Sequence, residues 1–417
     1  MGSLFVVLVI AGCAAYQYLK GTLVKAFATI IIAICASAAA FGYFETLANI
    51  VISQAGDGRL ASLIPWAHSL CFVLLFILTF ALLQTAASQL THQPVDLGLW
   101  PERIGRVVCG VFLGLIISGV LLTALAMAPL PNNYPYQRYD QRNLDTETPT
   151  PNKVLLNADG FATEWFNMMS NGSFRAIRNR RSFAALRPDF PDQLFLNRHN
   201  ITDGVSIVTS SQAIEVLKKN GAWFAPEDIK DSDGKPVSPK SGHNLTIVRV
   251  GIKRSAAKEA GQFTLSQLRL ICKRKGDSEN AFTGKGKNVY PVGYLKAANQ
   301  LQKKRLNDLI KINLSDFTEN VKWIDFAFYM PNDCVPLAME FKLNNIAEVP
   351  LPVSADQAPP PVPFVERSEN EKGAAESRSS AEQPTSTPAE ERKSDSRRGG
   401  LSNISKGIVG PQFDENK

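Results

Sequence analysis

Histidine is scarce in this chain, with 4 residues among 417, and cysteine is nearly so, with 6. No Cys-x-x-Cys pair, His-Glu-x-x-His helix or phosphate-cradling glycine loop occurs, so the ligand sets that zinc and nucleotide chemistry need are missing. Beyond the apolar first third the histidines are His199 and His243, and neither has a recognisable triad context. No catalytic residue, metal, cofactor, small-molecule substrate or nucleic-acid partner is expected.

Charge is the second shortage, and it is local. The net charge of +7 and a mean hydropathy near zero describe a soluble basic protein only on average; the apolar excess lies before Pro131 and most of the charge after it. Uncharged runs cover Ser3–Leu19, Ala26–Phe44 and Trp66–Leu83, and 105–129 is interrupted only by Arg106. Each is close to the roughly 20 residues needed to cross the hydrocarbon core of a bilayer. A membrane domain of four transmembrane helices is predicted over residues 1–130.

Glycine is plentiful where a soluble helix would avoid it. Gly105, Gly110, Gly114 and Gly119 fall in the last apolar run, although each glycine costs a water-exposed helix roughly 1 kcal/mol relative to alanine. In lipid, helices associate by close packing, and small residues let backbones approach. Gly110, Gly114 and Ser118 share one stripe and are assigned to helix packing. Basic residues set the orientation: Lys20 and Lys25 occupy the first connection and Arg103 and Arg106 the third, while Glu45–Arg59 carries a single positive residue. Basic loops stay cytoplasmic, so the N-terminus, the second connection and everything after Pro131 are predicted outside. Ile10-Ala11-Gly12-Cys13 has the form of a lipoprotein box, but residues 1–9 lack the positive start of a leader. Cys13, like Cys35, Cys71 and Cys109, is read as a small packing residue within a span.

Tyr18-Leu19-Lys20-Gly21 between two early spans, a third span, and then Arg103 ahead of Gly110 and Gly114 resemble the bacterial CvpA (colicin V production) family of inner-membrane proteins, over residues 3–130. Where family members carry Asp-Arg ahead of the first glycine, this chain has Arg106-Val107. The resemblance implies a multi-pass protein of the bacterial inner membrane linked to toxin production or envelope maintenance, without a catalytic mechanism. Lys20 and Gly21 match the family's basic-glycine pair, and Gly21 is counted with the loop charges Lys20, Lys25, Arg103 and Arg106 among the topology-setting positions. Because some such membrane domains are fused to serine proteases, Gly276-Asp277-Ser278 is a candidate nucleophile turn. Glu279 and Asn280 follow it, where an oxyanion hole needs small residues, and it is rejected.

Past the spans, residues 131–152 are rich in Pro, Asn and charge and read as a linker. Residues 153–242 read as a small mixed helical and loop subdomain, with Phe161, Trp165 and Met168 at helical spacing. A basic cluster of Arg175, Arg178, Arg180, Arg181 and Arg187 follows. Phe183, Leu186 and Phe190 interleave those charges as core residues would, which favours a solvated face over contact with anionic headgroups. Strand patterns begin at His243. Ile324, Phe326, Phe328 and Met330 alternate with Asp325, Ala327 and Tyr329, and Leu337, Met339, Phe341 and Leu343 with Ala338, Glu340 and Lys342, as half-buried strands should. A mainly-β soluble domain, an immunoglobulin-like sandwich, is predicted over 243–349, and a disordered tail over 350–417, including the "PPPVP" linker.

Two ionisable features stay open. His68 near the start of the third span reads as a satisfied helix-end histidine, with a proton or ion relay as the alternative. Cys272 and Cys334 are the soluble pair; export would permit a disulfide between them, and two separate thiols is the alternative. The functional reading is a non-enzymatic inner-membrane protein in the lipid bilayer, with an envelope protein partner or a homo-oligomer. A transporter or channel component and a membrane-tethered enzyme are the alternatives.

Overall fold

A computed structural model describes residues 1–366 except 21, 56–60, 91–97, 141–143, 145–150, 172–181, 210–211, 277–283 and 318. Four helices come first: α1 (Gly2–Lys20), α2 (Leu23–Ala55), α3 (Ala67–Leu90) and α4 (Leu99–Met127). All are long and apolar enough to cross a membrane. A 3-10 turn at Ala61–Trp66 accommodates Pro65 ahead of α3. The second helix runs well past its predicted end at Phe44. Its 33 residues span about 50 Å against about 30 Å of hydrocarbon. The surplus carries Ala48, Ile52 and Ala55 into one apolar cluster with Phe190, Leu194 and Val208. What reads as a loop is therefore a continuation of the helix past the apolar run.

After α4 come α5 (Ala158–Asn171), α6 (Phe183–Leu186) and α7 (Phe190–Asn197), and later the single turn α8 (Ala257–Ala260). The strands, in order, are β1 (Ile214–Val216), β2 (Ala222–Phe224), β3 (Lys230–Asp231), β4 (His243–Lys253), β5 (Gln262–Thr264), β6 (Leu268–Arg274), β7 (Lys287–Val289), β8 (Pro291–Ala297), β9 (Gln300–Lys303), β10 (Leu309–Lys311), β11 (Val321–Pro331), β12 (Cys334–Phe341) and β13 (Asn345–Glu348). One sheet has the order β1-β4-β11-β8-β9-β3 with β2 also on β4; a second has β13-β12-β6-β7; β10 pairs β5. The pairings are antiparallel apart from β3 with β9. β4 and β11 pair from Val321 opposite Lys253 to Pro331 opposite His243.

The two larger sheets share a core. Val248, Val250, Ile324 and Phe326 from one join Leu268, Leu270, Met339 and Phe341 from the other. Phe263 stands edge-on between them, 6.2 Å from Phe326 and 5.2 Å from Phe341. The mainly-β character follows the sequence, but the strands are not half-exposed. Ala327 on the second face of β11 packs with Trp223, Ile247, Val292 and Leu301 in a separate cluster. On β12, a bulge between Pro336 and Ala338 breaks the alternation. Leu337 then joins Ile271 and Ala338, away from Met339. Glu340 and Lys342, read as outward, are buried.

Two boundaries also move. The described part of the predicted linker is packed: Tyr139 and Leu144 are buried, and Arg138 pairs with Asp159 of α5 and Asp192 of α7. Arg138 thus finds acidic partners in place of water, while Asn133, Gln137, Asp140 and Asn152 stay exposed. The predicted tail starts too early. Val353 exchanges backbone hydrogen bonds with Phe224 and Ala222, at 2.9 and 3.0 Å. The Pro360 carbonyl accepts from Arg249 Nη2 at 2.8 Å, and Phe364 is buried edge-on to Tyr294 at 5.0 Å. Residues 367–417 lie outside the described residues.

Candidate functional site

The small residues of α4 are the points where it touches its neighbours. A Cβ at Gly110 would lie 2.5 Å from Ala14 Cα, and one at Gly114 2.5 Å from Ile10 Cα, so α1 and α4 are in backbone contact. Ser118 is buried and its hydroxyl donates to the Leu115 carbonyl at 2.9 Å. Gly119 meets a different element, the Ala158 carbonyl at the start of α5. Ser69 Oγ of α3 donates to the Ala124 carbonyl at 2.8 Å, which adds a polar tie between α3 and α4.

The ends of the four helices segregate. Ser3 Oγ at the start of α1 accepts from Leu155 N at 3.3 Å, and the end of α2, the start of α3 and the end of α4 meet the same extramembrane region. Lys20, Lys25, Arg103 and Arg106 therefore lie at the opposite ends. The first three are exposed, Arg106 pairs with Glu102, and Gly21 lies outside the described residues.

Where α2 emerges, the helices and the β region are joined by charge. Arg187, between α6 and α7, donates from Nε to Glu45 Oε1 of α2 at 2.7 Å. From Nη1 it donates to Glu340 of β12, and from Nη2 to the Leu343 carbonyl at 3.1 Å. Arg269 of β6 pairs with the other Glu340 oxygen, which also accepts from Gln193 Nε2 at 2.9 Å. Two guanidiniums and two carboxylates balance, as buried charges must. Burial pushes the Glu340 carboxyl up while both arginines pull it back. Burial disfavours the Arg187 cation, but Glu340 and Glu45 outweigh that and hold its pKa above the ordinary value. Burial lowers Arg269, which shares Glu340 with a second cation. The placement of Arg187 in a solvated basic face is thus corrected: it is buried because its partners are. Arg175, Arg178, Arg180 and Arg181 lie outside the described residues.

A second arginine closes the other helix end. Arg198, buried, donates from Nη1 to the Leu125 carbonyl of α4 at 3.1 Å and from Nη2 to the Tyr134 carbonyl. Its guanidinium lies 4.2 Å over the Phe195 ring. The cation sits on the negative end of the α4 dipole, and burial lowers its pKa to about 10. Its neighbour His199 is also buried, and burial brings it down to about 4.

His68 is not the satisfied histidine expected: it is buried, and both ring nitrogens lack a hydrogen-bond partner. Its ring stands edge-on to Phe44 at 6.0 Å. Cys272 and Cys334 are free thiols. Cys334 opens β12 opposite Arg274, and Cys272 faces Pro336, two positions away along the strand pair. Asp277 and Ser278 lie outside the described residues. Among the described residues no group of three or more His, Cys, Asp and Glu side chains is placed to hold a metal ion.

Beside β7 and β8 lies a polar cleft of about 320 Å³ whose lining includes Tyr139, Asp189, Asp192, Lys287, Tyr290 and Tyr329. The Tyr290 hydroxyl is buried without a partner. Burial pushes its pKa up, so it remains a hydrogen-bond donor. Neither this cleft nor the roles of Glu45, Arg198, Arg269 and Glu340 were legible beforehand. The one local signal was Glu340 itself, an acid flanked by large apolar residues in a strand. No family model, curated protein or solved structure matches the chain.

Proposed function

We propose that the protein is a non-catalytic anchor of the bacterial inner membrane, of CvpA type, that holds a partner-binding β module of immunoglobulin-like kind at a fixed height on the outer face. It would act in toxin production or envelope maintenance. The observation that carries this reading is the bridge from Glu45 through Arg187 to Glu340. A module on a free tether needs no such link. One seated by buried charge keeps its orientation to the bilayer, which suits presentation of a surface to an envelope partner. The cleft beside Tyr290 supplies uncommitted polarity for that partner. The gathering of Lys20, Lys25, Arg103 and Arg106 at the far helix ends supports a cytoplasmic location for those ends.

Two measurements test the proposal. In intact spheroplasts, a membrane-impermeant thiol reagent should reach a cysteine placed at Ser241 and should reach one at Trp100 only after lysis; the reverse pattern overturns the orientation. A photo-crosslinker at Tyr329 in native membranes should capture a second protein species. A second reading, a transporter component, draws on the unpartnered ring of His68 within a span. It would be favoured by a crosslinked ladder of this chain alone.

A further inference from the structure

The turn before α5 and the exposed face of that helix carry apolar side chains at the depth of the membrane helices. Leu155 and Leu156 are 42% and 62% exposed, and Trp165 and Met168 41% and 61%. Phe161, Trp165 and Met168 share a helical face. The opposite face, with Ala158, Ala162 and Phe166, is buried. A protein surface in water does not spend its large apolar residues on the outer face of an amphipathic helix while burying small and polar ones.

Position supplies the reason. Ala158 packs on Gly119, which lies about two turns, or about 12 Å, inside the end of α4 at Met127. Val154 and Ala158 share a cluster with Val6 of α1 and Leu122 of α4, and Leu155 N donates to Ser3 Oγ. This segment therefore lies beside the outer turns of two membrane helices, one of which, α1, exposes Leu4 and Leu8 at 64% and 62%. Leu156 and Asn157 both adopt left-handed backbone, with φ of 57° and 46°. That conformation is costly for non-glycine residues, and here it leaves the Leu156 side chain exposed. At the polar edge of the face, Glu164 meets Lys285 Nζ at 3.4 Å, a pair suited to the headgroup layer.

We infer that residues 154–168 form a fifth membrane element, an in-plane helix with a leading Leu155-Leu156 wedge, seated in the boundary between headgroups and acyl chains. Its partner is the bilayer itself. Trp165 takes the amphipathic interfacial position that tryptophan favours. The element fixes the height of the β region independently of the charged bridge.

The inference rests on α1–α4 crossing the bilayer, so the test includes that as a control. In the full-length protein with Cys13, Cys35, Cys71, Cys109, Cys272 and Cys334 replaced by alanine, reconstituted in phospholipid nanodiscs, single cysteines at Leu156, Met168, Leu8, Leu78 and Ser241 are labelled with an environment-sensitive fluorophore. Nitroxide-bearing lipids are the quencher. Labels at 156 and 168 should lose fluorescence to an extent comparable with those at 8 and 78, while the label at 241 keeps its signal. If 8 and 78 are quenched but 156 and 168 behave like 241, the in-plane element is wrong and the spans stand. If 8 and 78 also resist quenching, the membrane reading fails and this inference with it.

Discussion

Arg187 and Glu340 pair across 153 residues of chain with both side chains cut off from solvent, 2% and 0% exposed. Glu340 is also the shared acceptor of Arg269 and Gln193, so the network depends on it more than on any single cation. Removing one partner of a buried pair typically costs about 3–5 kcal/mol, because the survivor stays desolvated. Glu340→Gln should fall in that range. Glu45 is 31% exposed, so solvent screens its side of the pair, and Arg187 keeps Glu340 as a partner when Glu45 is lost; Glu45→Gln should cost about 1 kcal/mol or less. Chemical denaturation in detergent compares the two; equal midpoints for both variants would contradict the inequality.

Helix contact gives a sharper contrast. Gly114→Leu and Gly110→Leu drive a side chain into the α1 backbone, whereas a Cβ at Gly12 meets nothing within 4 Å. All three substitutions add equal hydrophobicity. The first two should lower the melting temperature in detergent and the third should not, with membrane insertion intact throughout. If Gly12→Leu proves as harmful as the others, the stripe has no special role.

The C-terminal boundary is also measurable. Deleting residues 367–417 should leave the unfolding transition of the remaining chain unchanged, since a segment this poor in apolar residues buries little area and the described chain keeps its contacts up to the pair of Glu366 with Lys304 Nζ at 2.9 Å. Deleting from residue 355 removes buried Phe364 and the Pro360 acceptor of Arg249. That should cost about 3–5 kcal/mol, on the scale of a lost core aromatic. Identical melts for the two truncations would return the boundary to residue 350.

Acid should weaken the fold through His199. Its folded-state pKa of about 4 lies below the ordinary 6.5, so the unfolded chain binds more protons between those values. Stability then rises with pH there. The His199 contribution is complete above about pH 6.5, declines as pH falls, and levels off below about 4. In His199→Asn the slope of the denaturation midpoint against pH over that window should flatten. A slope unchanged by the substitution would place the titration elsewhere.

Much of the architecture was legible because it is written in local patterns. Apolar runs of spanning length, such as Ala26–Phe44 and Trp66–Leu83, lie within α2 and within the turn and helix that end at Leu90. The alternating residues around Ile324–Met330 are β11, and Gly110 and Gly114 lie where α4 touches α1. The candidate site was far less legible. Arg187 reads as one more arginine of a basic run, and Glu340 as a polar residue facing water, because alternation looks the same whether the second face meets solvent or a guanidinium.

The sequence by itself determined which segments could leave water. Apolar transfer is additive over neighbouring residues, so spans and strands are properties of short windows. Only the tertiary structure decided where the charges went: Arg138 into α5 and α7, Arg187 to Glu45 and Glu340, Arg198 onto the end of α4, and residues 350–366 back onto the β region. A buried charge is tolerated only beside a partner. Those partners lie 54, 142 and 153 residues away for the pairs of Arg138 with Asp192 and of Arg187 with Glu45 and Glu340. No window of the chain contains that information, because chain folding alone brings the partners into one desolvated place.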